Sequence, residues 1–357
     1  MSQPRVRALI LAAGIGSRLQ PLTSFIPKPL LPVTGSTLIE LTLDRLAAAG
    51  CEAAAINLHH LPEEIRGHLG EDHGGMPLTY SLEPEERQGT LGALYPLRDF
   101  LGAADVILLV NGDSLCPWPF PKLLRRHRAT GAAATLLLAG AADPQEYGGG
   151  VAVDRQGRLL SFHAGDPPRG EVASRHVFAG AHAISPELLG RIEAGPSDIV
   201  RDLYKPLLTE GARIQTVVGR QSWHDMGKPR RYLEGVLDHA RGNWLTRLWR
   251  RNWVSDEASV EAGAKLVGAA VEAGATVGEG SKLERTLVLA GASVGPGARL
   301  SECIVGPGAQ VPASARVQRQ VVVPARRDLP TTEGDSHVEG QVFSPLDARR
   351  RQRNPGY

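Results

Sequence analysis

Cysteine is scarce in this chain: Cys51, Cys116 and Cys303 are its only three, far apart and never in a C-x-x-C pair. That pattern excludes a disulfide scaffold and a structural zinc site, and fits a reducing compartment. Net charge is nearly absent as well, at +2 from 40 Lys and Arg against 38 Asp and Glu, so there is no electrostatic reason to expect nucleic acid or a membrane surface as partner. No apolar run approaches the ~20 residues of a membrane span. The short run Val6–Leu11 belongs to a strand pattern rather than to a signal peptide. A cytoplasmic protein is expected. Histidine is equally unhelpful: His59, His60 and His224 have no ligand spacing and no triad partners, so packing is the expectation for each.

What is present begins with alternation. At 357 residues the chain has room for two domains. Up to about residue 240, short apolar runs take turns with amphipathic stretches. Val6–Leu11, Ala53–Leu58 and Asp105–Val110 read as strands, and a helix-like Leu91–Leu101 precedes the last of them. Thr37-x-x-Glu40 is a capping-box pattern opening a helix that ends at Gly50. This order predicts an α/β fold with a doubly wound, Rossmann-like, mostly parallel sheet, whose ligand crevice lies beyond the carboxyl ends of the strands.

The second half is a repeat. "VEAGAKLVGAAVEAGAT", "VGEGSKLERTLVLAGAS", "VGPGARLSECIVGPGAQ" and "VPASARVQRQVVVPARR" stack in register, with Val260, Val277, Val294 and Val311 at equal spacing. Branched aliphatics recur about every six residues, with small residues between, as in a triangular β-solenoid whose aliphatics point inward. The expected organisation is therefore a catalytic-type domain over 1–240, a Trp-rich linker helix over 241–257 (Trp244, Trp249, Trp253), hexapeptide coils over 258–327 and a mobile tail over 328–357. The solenoid has no histidine and no plausible acid, base or metal cluster, so it reads as an assembly element, and self-association into a homo-oligomer is expected.

The chemistry concentrates in "LAAGIGSRLQPLTSFIPKPLLPVTG", residues 11–35. Gly14 and Gly16 follow a strand, yet Leu19 replaces a third glycine and no Gly-Lys-Ser/Thr follows. Ala13-Gly14-Ile15-Gly16-Ser17 offers backbone N–H donors to phosphate oxygens. Arg18 adds a permanently charged fork for two phosphate oxygens. Lys28, between Pro27 and Pro29, is stiffened and pushed towards extended geometry. Two cations and a donor-rich loop point to a triphosphate or to two phosphorylated substrates.

The pattern G-x-G-x-R-L-x-P-L-T followed by P-K-P-L, with "QGTLGAL", "NGDS" and "WHDMGKPRRY", resembles the sugar-1-phosphate nucleotidylyltransferases. Within that family, "INLHHLPEEIRGHLG", "NGDSLCPWPFPKL" and "FAGAHAISPELL" are most similar to the uridylyltransferase acting on N-acetylmuramic acid 1-phosphate. The added solenoid is similar to the left-handed β-helix of GDP-mannose pyrophosphorylase. The resemblance implies an NTP and a sugar 1-phosphate as substrates, in-line attack of the sugar phosphate on the α-phosphorus, and release of pyrophosphate. It also implies Mg2+, with Asp113 and Asp225 as the metal carboxylates, and Arg18 and Lys28 neutralising phosphate charge. The nucleotide would be held by Leu11, Ala13, Gly14, Gly16, Ser17, Arg18 and the stretch around Gly89, with Glu83 or Gln88 discriminating the base. Asn111, Gly149 and Gly180 are the implied sugar contacts.

One departure stands out. Many family members carry Glu-Lys-Pro, whose lysine grips the sugar phosphate, where this chain reads "FHAGDPP" (Phe162 to Pro168). Lys228, Arg169 and Arg175 are the substitutes for that anchor. The rival readings are a non-catalytic nucleotide-sugar sensor and a solenoid acyltransferase. The first is opposed by the presence of Arg18, Lys28, Asp113 and Asp225 together, the second by the missing histidine. Guanosine with mannose 1-phosphate and uridine with N-acetylmuramic acid 1-phosphate are the leading substrate pairs.

Overall fold

Runs such as VRALIL and ATLLLA, with almost no polar interruption, are what a parallel sheet covered on both faces requires. In a computed structural model, which describes residues 4–242 and 252–348, they form that sheet. Its main strands are β1 (Val6–Leu11), β2 (Ala53–Leu58), β3 (Met76–Leu82), β4 (Val106–Asn111), β5 (Ala134–Ala139), β6 (Ser174–Ile184) and β7 (Ile214–Gly219). The order is β3-β2-β1-β4-β6-β5-β7. The long β6 runs antiparallel to both β4 and β5, and the other neighbours in that order are parallel. Leu9, Leu109, Leu136, Ile184 and Tyr204 lie in the core against the sheet and are fully buried. Helices α1 (Leu38–Ala48), α2 (Pro62–Leu69) and α3 (Phe120–Thr130) fill the crossovers.

The expected single helix Leu91–Leu101 is instead three short turns, Gly89–Gly92, Tyr95–Leu97 and Arg98–Gly102. Pro96 lacks the N–H that a continuous helix needs there.

The seventeen-residue repeat forms a three-sided parallel β-helix. Ser259–Val260, Thr276–Val277, Ser293–Val294 and Gln310–Val311 stack along one side, each residue pairing with its equivalent one coil later. Val277, Leu283, Val288, Val294, Leu300 and Val305 point inward and are at most 2% exposed. One corner uses non-glycine residues at positive φ, Arg285, Glu302 and Arg319, and there they form a charge ladder along the stack.

Residues 328–348 differ from the expected mobile tail. Gln341–Pro345 pairs antiparallel with the strand Gln320–Pro324, and Ser336–Val338 pairs with it in turn. Val342 and Phe343 are buried there, closing the apolar end of the stack, as a solenoid terminus must. Residues 349–357 lie outside the described residues. So do Trp244 and Trp249 of the expected linker helix, whereas Trp253 opens the first strand of the solenoid, Trp253–Val254.

The chain separates into two compact units, and not at residue 240. One holds Ile39–Trp223 with the segment ending at Gly14; the other holds Ile15–Leu38 together with the chain from His224 onward. The second unit includes α4 (Pro229–Ala240). No helix among the described residues is long and apolar enough to cross a membrane.

Candidate active site

In the sheet unit the connections run outward from β1 in one direction, to β2 and β3, and then return to β4 on its other side. That reversal is the switch point where open α/β sheets bind ligands. Leu11 and Asn111 end the two strands in register with each other. The Gly112 N–H donates to the Leu11 carbonyl at 2.9 Å, and a Cβ on Gly112 would stand 3.0 Å from that oxygen. Asp113 follows at once, half-buried, in the turn between β4 and the short strand Ser114–Leu115. The β4 strand is displaced by one residue from the expected Asp105–Val110, which places Asn111 at its tip. The Asn111 side chain lies over Gly180: a Cβ there would be 2.8 Å from the Asn111 amide nitrogen. Gly149 has φ +84 and would place a Cβ 2.4 Å from that of Ala164, so the Gly148-Gly149-Gly150 turn packs on the "FHAGDPP" segment.

The base-reading candidates take on definite roles. Asn57, at the end of β2, accepts the Ala12 N–H through Oδ1 at 2.7 Å and donates through Nδ2 to Glu83 Oε1 at 2.6 Å. The other Glu83 oxygen accepts the Gln88 N–H at 3.1 Å. This buried relay fixes the backbone after β1 to the loop before Gly89. Each Glu83 oxygen accepts one of its bonds, so the carboxylate positions the loops. The Gln88 side chain donates to the Glu86 carbonyl, within its own loop. The room at Gly89 (φ +71) is filled by the Ser197 carbonyl oxygen, 2.5 Å from where a Cβ would be. Asn57 was not singled out in the sequence, since a lone asparagine at a strand end carries no spacing signal.

Arg18, Lys28, Asp225 and Lys228 belong to the other unit. Gly16 has φ +69 and would press a Cβ to 2.8 Å from Thr23 Cγ2, while nothing lies within 4 Å of a Cβ on Gly14. Gly16 therefore shapes the loop and Gly14 leaves it open. Ser17 and Arg18 follow in a 3-10 turn, Ser17–Leu19, and both are exposed. Lys28 does not run extended: it opens a further 3-10 turn, Lys28–Leu30, closed by the Leu30 N–H on the Pro27 carbonyl at 2.9 Å. It is only 6% exposed, a degree of burial lysine seldom reaches without partners for its ammonium. The Arg18 guanidinium and the Asp225 carboxylate each come close to Gly227, whose Cβ would be 3.0 Å from Arg18 Nη2 and 2.7 Å from Asp225 Oδ1. Asp225 Oδ2 accepts from Arg231 Nη1 at 2.8 Å. Lys228, exposed, precedes α4, where a cation faces the positive end of the helix and invites an anion.

The substitute anchors differ. Arg175 donates to the Gly150 carbonyl at 3.3 Å, and Arg169 to Thr209 at 3.1 Å. Lys205, unnoticed in the sequence, pairs with Asp166 of "FHAGDPP" at 3.1 Å. The thiols are inert: burial pushes Cys51 and Cys116 up to about 12 and Cys303 to about 11. His182, buried beside Tyr204, is depressed by burial to about 3, which suits a neutral core residue.

Among the described residues no three metal-type side chains converge. The donors on offer are the hard carboxylates of Asp113 and Asp225, one in each unit. That fits a magnesium ion, which takes one or two carboxylates and completes its shell with phosphate oxygens.

The glycine turn with Asp113 at the strand switch point of one unit, and the cationic glycine loop with Asp225 in the other, match the motifs of the sugar-1-phosphate nucleotidylyltransferases. The nucleotidyl transferase family profile matches residues 7–241, and the chain belongs to that family. A probable mannose-1-phosphate guanylyltransferase of Oryza sativa subsp. japonica is 31% identical over 250 residues, 68% of each chain. The mannose-1-phosphate guanylyltransferase of Mycobacterium tuberculosis (strain ATCC 25618 / H37Rv) is 31% identical over 280 residues, 76% of each chain. The crystal structure of HddC from Yersinia pseudotuberculosis superposes with a TM-score of 0.55 at 19% identity, covering 65% of this chain and 99% of that one, a likeness of fold.

Proposed function

We propose that the chain transfers a guanylyl group from GTP to mannose 1-phosphate, giving GDP-mannose and pyrophosphate. The reading is supported chiefly by the identity shared with mannose-1-phosphate guanylyltransferases along most of their length. The backbone N–H groups of residues 13–17 and the Arg18 fork hold the triphosphate. An oxygen of the sugar phosphate attacks the α-phosphorus, and the bond to the β-phosphate bridging oxygen breaks. The nucleophile is already anionic, so positioning and charge neutralisation outweigh proton transfer. Lys28 offsets charge on the phosphates. Asn111, Gly149 and Gly180 form the sugar side, with Lys228 as phosphate anchor in place of the missing Glu-Lys-Pro lysine. Asp113 and Asp225 are assigned to Mg2+, whose charge, when bound, lets two anions approach one another. A cytoplasmic place and a homo-oligomeric state complete the reading.

The test is pyrophosphate release from a panel of NTPs against several sugar 1-phosphates, with and without chelator. GTP with mannose 1-phosphate should lead, and chelation should abolish turnover until magnesium is restored. UTP with N-acetylmuramic acid 1-phosphate, which the sequence motifs also favour, would replace this pair if it led. A chelated enzyme at full rate would remove the roles given to both aspartates.

A further inference from the structure

The phosphate loop is tied to the solenoid. Residues 15–38 carry Arg18 and Lys28 and end in a hairpin, Pro32–Val33 against Ser36–Thr37, turned by Thr34 and Gly35. Both turn residues have positive φ, 51 and 86. For glycine this is ordinary, but for a β-branched threonine it is strained and persists only where the surroundings over-determine it.

The over-determining group is Glu272, in the first coil of the β-helix. Its side chain reaches the turn, and its two oxygens accept the Thr34 N–H at 2.9 Å and the Gly35 N–H at 3.1 Å. Glu272 is 3% exposed, and its own N–H is held in the solenoid ladder by the Val288 carbonyl. Trp253 lies 3.1 Å from where a Gly35 Cβ would be, and Tyr232 of α4 donates to the Pro32 carbonyl at 2.7 Å. Nearer the glycines, Arg326 donates to the Ser24 carbonyl and stacks on Phe25, and Leu22 Cδ2 lies against Gly306, 3.4 Å from where its Cβ would be. The α4 segment that follows Asp225 and Lys228 is held likewise: Arg230 pairs with Asp347 and with Glu302 of the corner ladder.

We propose that the solenoid, through the Glu272 carboxylate, sets the position of the nucleotide-binding loop, and so governs NTP binding rather than assembly alone. The proposal rests on the reading that Arg18 and Lys28 bind the triphosphate. Glu272 is a positioning residue; it touches no substrate. Charge-assisted bonds to two adjacent N–H groups are the strong kind, and a buried N–H left unpaired is costly, so removal of the carboxylate releases the turn.

Full-length Glu272→Ala and Glu272→Gln are compared with Leu300→Ala, which empties a solenoid core position on another side of the stack. Glu272→Ala should raise the NTP KM about tenfold, Glu272→Gln less, with the sugar-phosphate KM unchanged. Leu300→Ala should leave the NTP KM at the wild-type value. Without nucleotide, hydrogen exchange at residues 34 and 35 should accelerate in both Glu272 variants and not in Leu300→Ala. An unchanged NTP KM in Glu272→Ala, or an equal rise in Leu300→Ala, overturns the proposal. If the wild type turned over no substrate pair, the proposed function would fail on its own, and unchanged exchange at 34 and 35 would still overturn this one.

Discussion

The two glycines of the phosphate loop should separate cleanly by substitution. At Gly16 an alanine must adopt φ +69, which costs an L-residue about 1–2 kcal/mol. Its Cβ would also sit 2.8 Å from Thr23 Cγ2. Thr23 is 2% exposed and donates through Oγ1 to the Gly16 carbonyl at 3.0 Å. Rotating it away would forfeit that bond, about 1 kcal/mol more. The sum, about 2–3 kcal/mol, should lower Tm by roughly 5–10 °C for a unit of this size. Gly14 has no positive φ and open space where the Cβ would go. Gly14→Ala should therefore leave Tm unchanged or slightly raised, since alanine restricts the unfolded chain. The open side is where phosphate oxygens must approach, so the same methyl should cut kcat/KM for NTP at least about tenfold, the worth of one charged contact. Calorimetry and steady-state kinetics on both variants decide it. A Gly14→Ala enzyme with wild-type kcat/KM would place the phosphates elsewhere, and a Gly16→Ala protein as stable as wild type would refute the steric argument.

Arg18→Ala should keep wild-type Tm, because the side chain is exposed, while losing on the order of 2–4 kcal/mol of transition-state stabilisation with NTP; normal kinetics in the folded variant would rule out the phosphate clamp. Asp113→Asn and Asp225→Asn should each lower kcat severely, and the double variant should be far from additive, as loss of one shared ion requires; additive effects would separate the two roles. Acid should destabilise the fold through His127 and His182, whose folded values are depressed by burial to about 4 and about 3. The unfolded chain binds their protons first, so this stability is complete above the ordinary value of about 6.5 and declines as pH falls towards 4. A His127→Gln protein should show a shallower decline in a pH series of denaturant melts, and an unchanged slope would contradict its neutral burial.

The sequence by itself determined whatever depends on short spacing. Alternation of apolar runs with amphipathic stretches is local, so the parallel sheet and the glycine turn after β1 were legible, with strand ends correct to within a residue. The period of seventeen was equally legible, because each coil repeats the same contacts with the next. Tertiary structure decided what depends on distant partners. Thr34 meets a carboxylate 238 positions away, and no pattern around either residue announces a backbone N–H capped by a remote acid. For the same reason the sequence could place residues 15–38 in the sheet domain, while the packing assigns them to the solenoid unit. Glu83 was expected only as a base-reading candidate, and its bonds to Asn57 and the Gln88 N–H, which tie two loops together, were not legible in the sequence. Gly14 and Gly16 are identical as letters, and only the threonine packed beneath one of them gives the two different work.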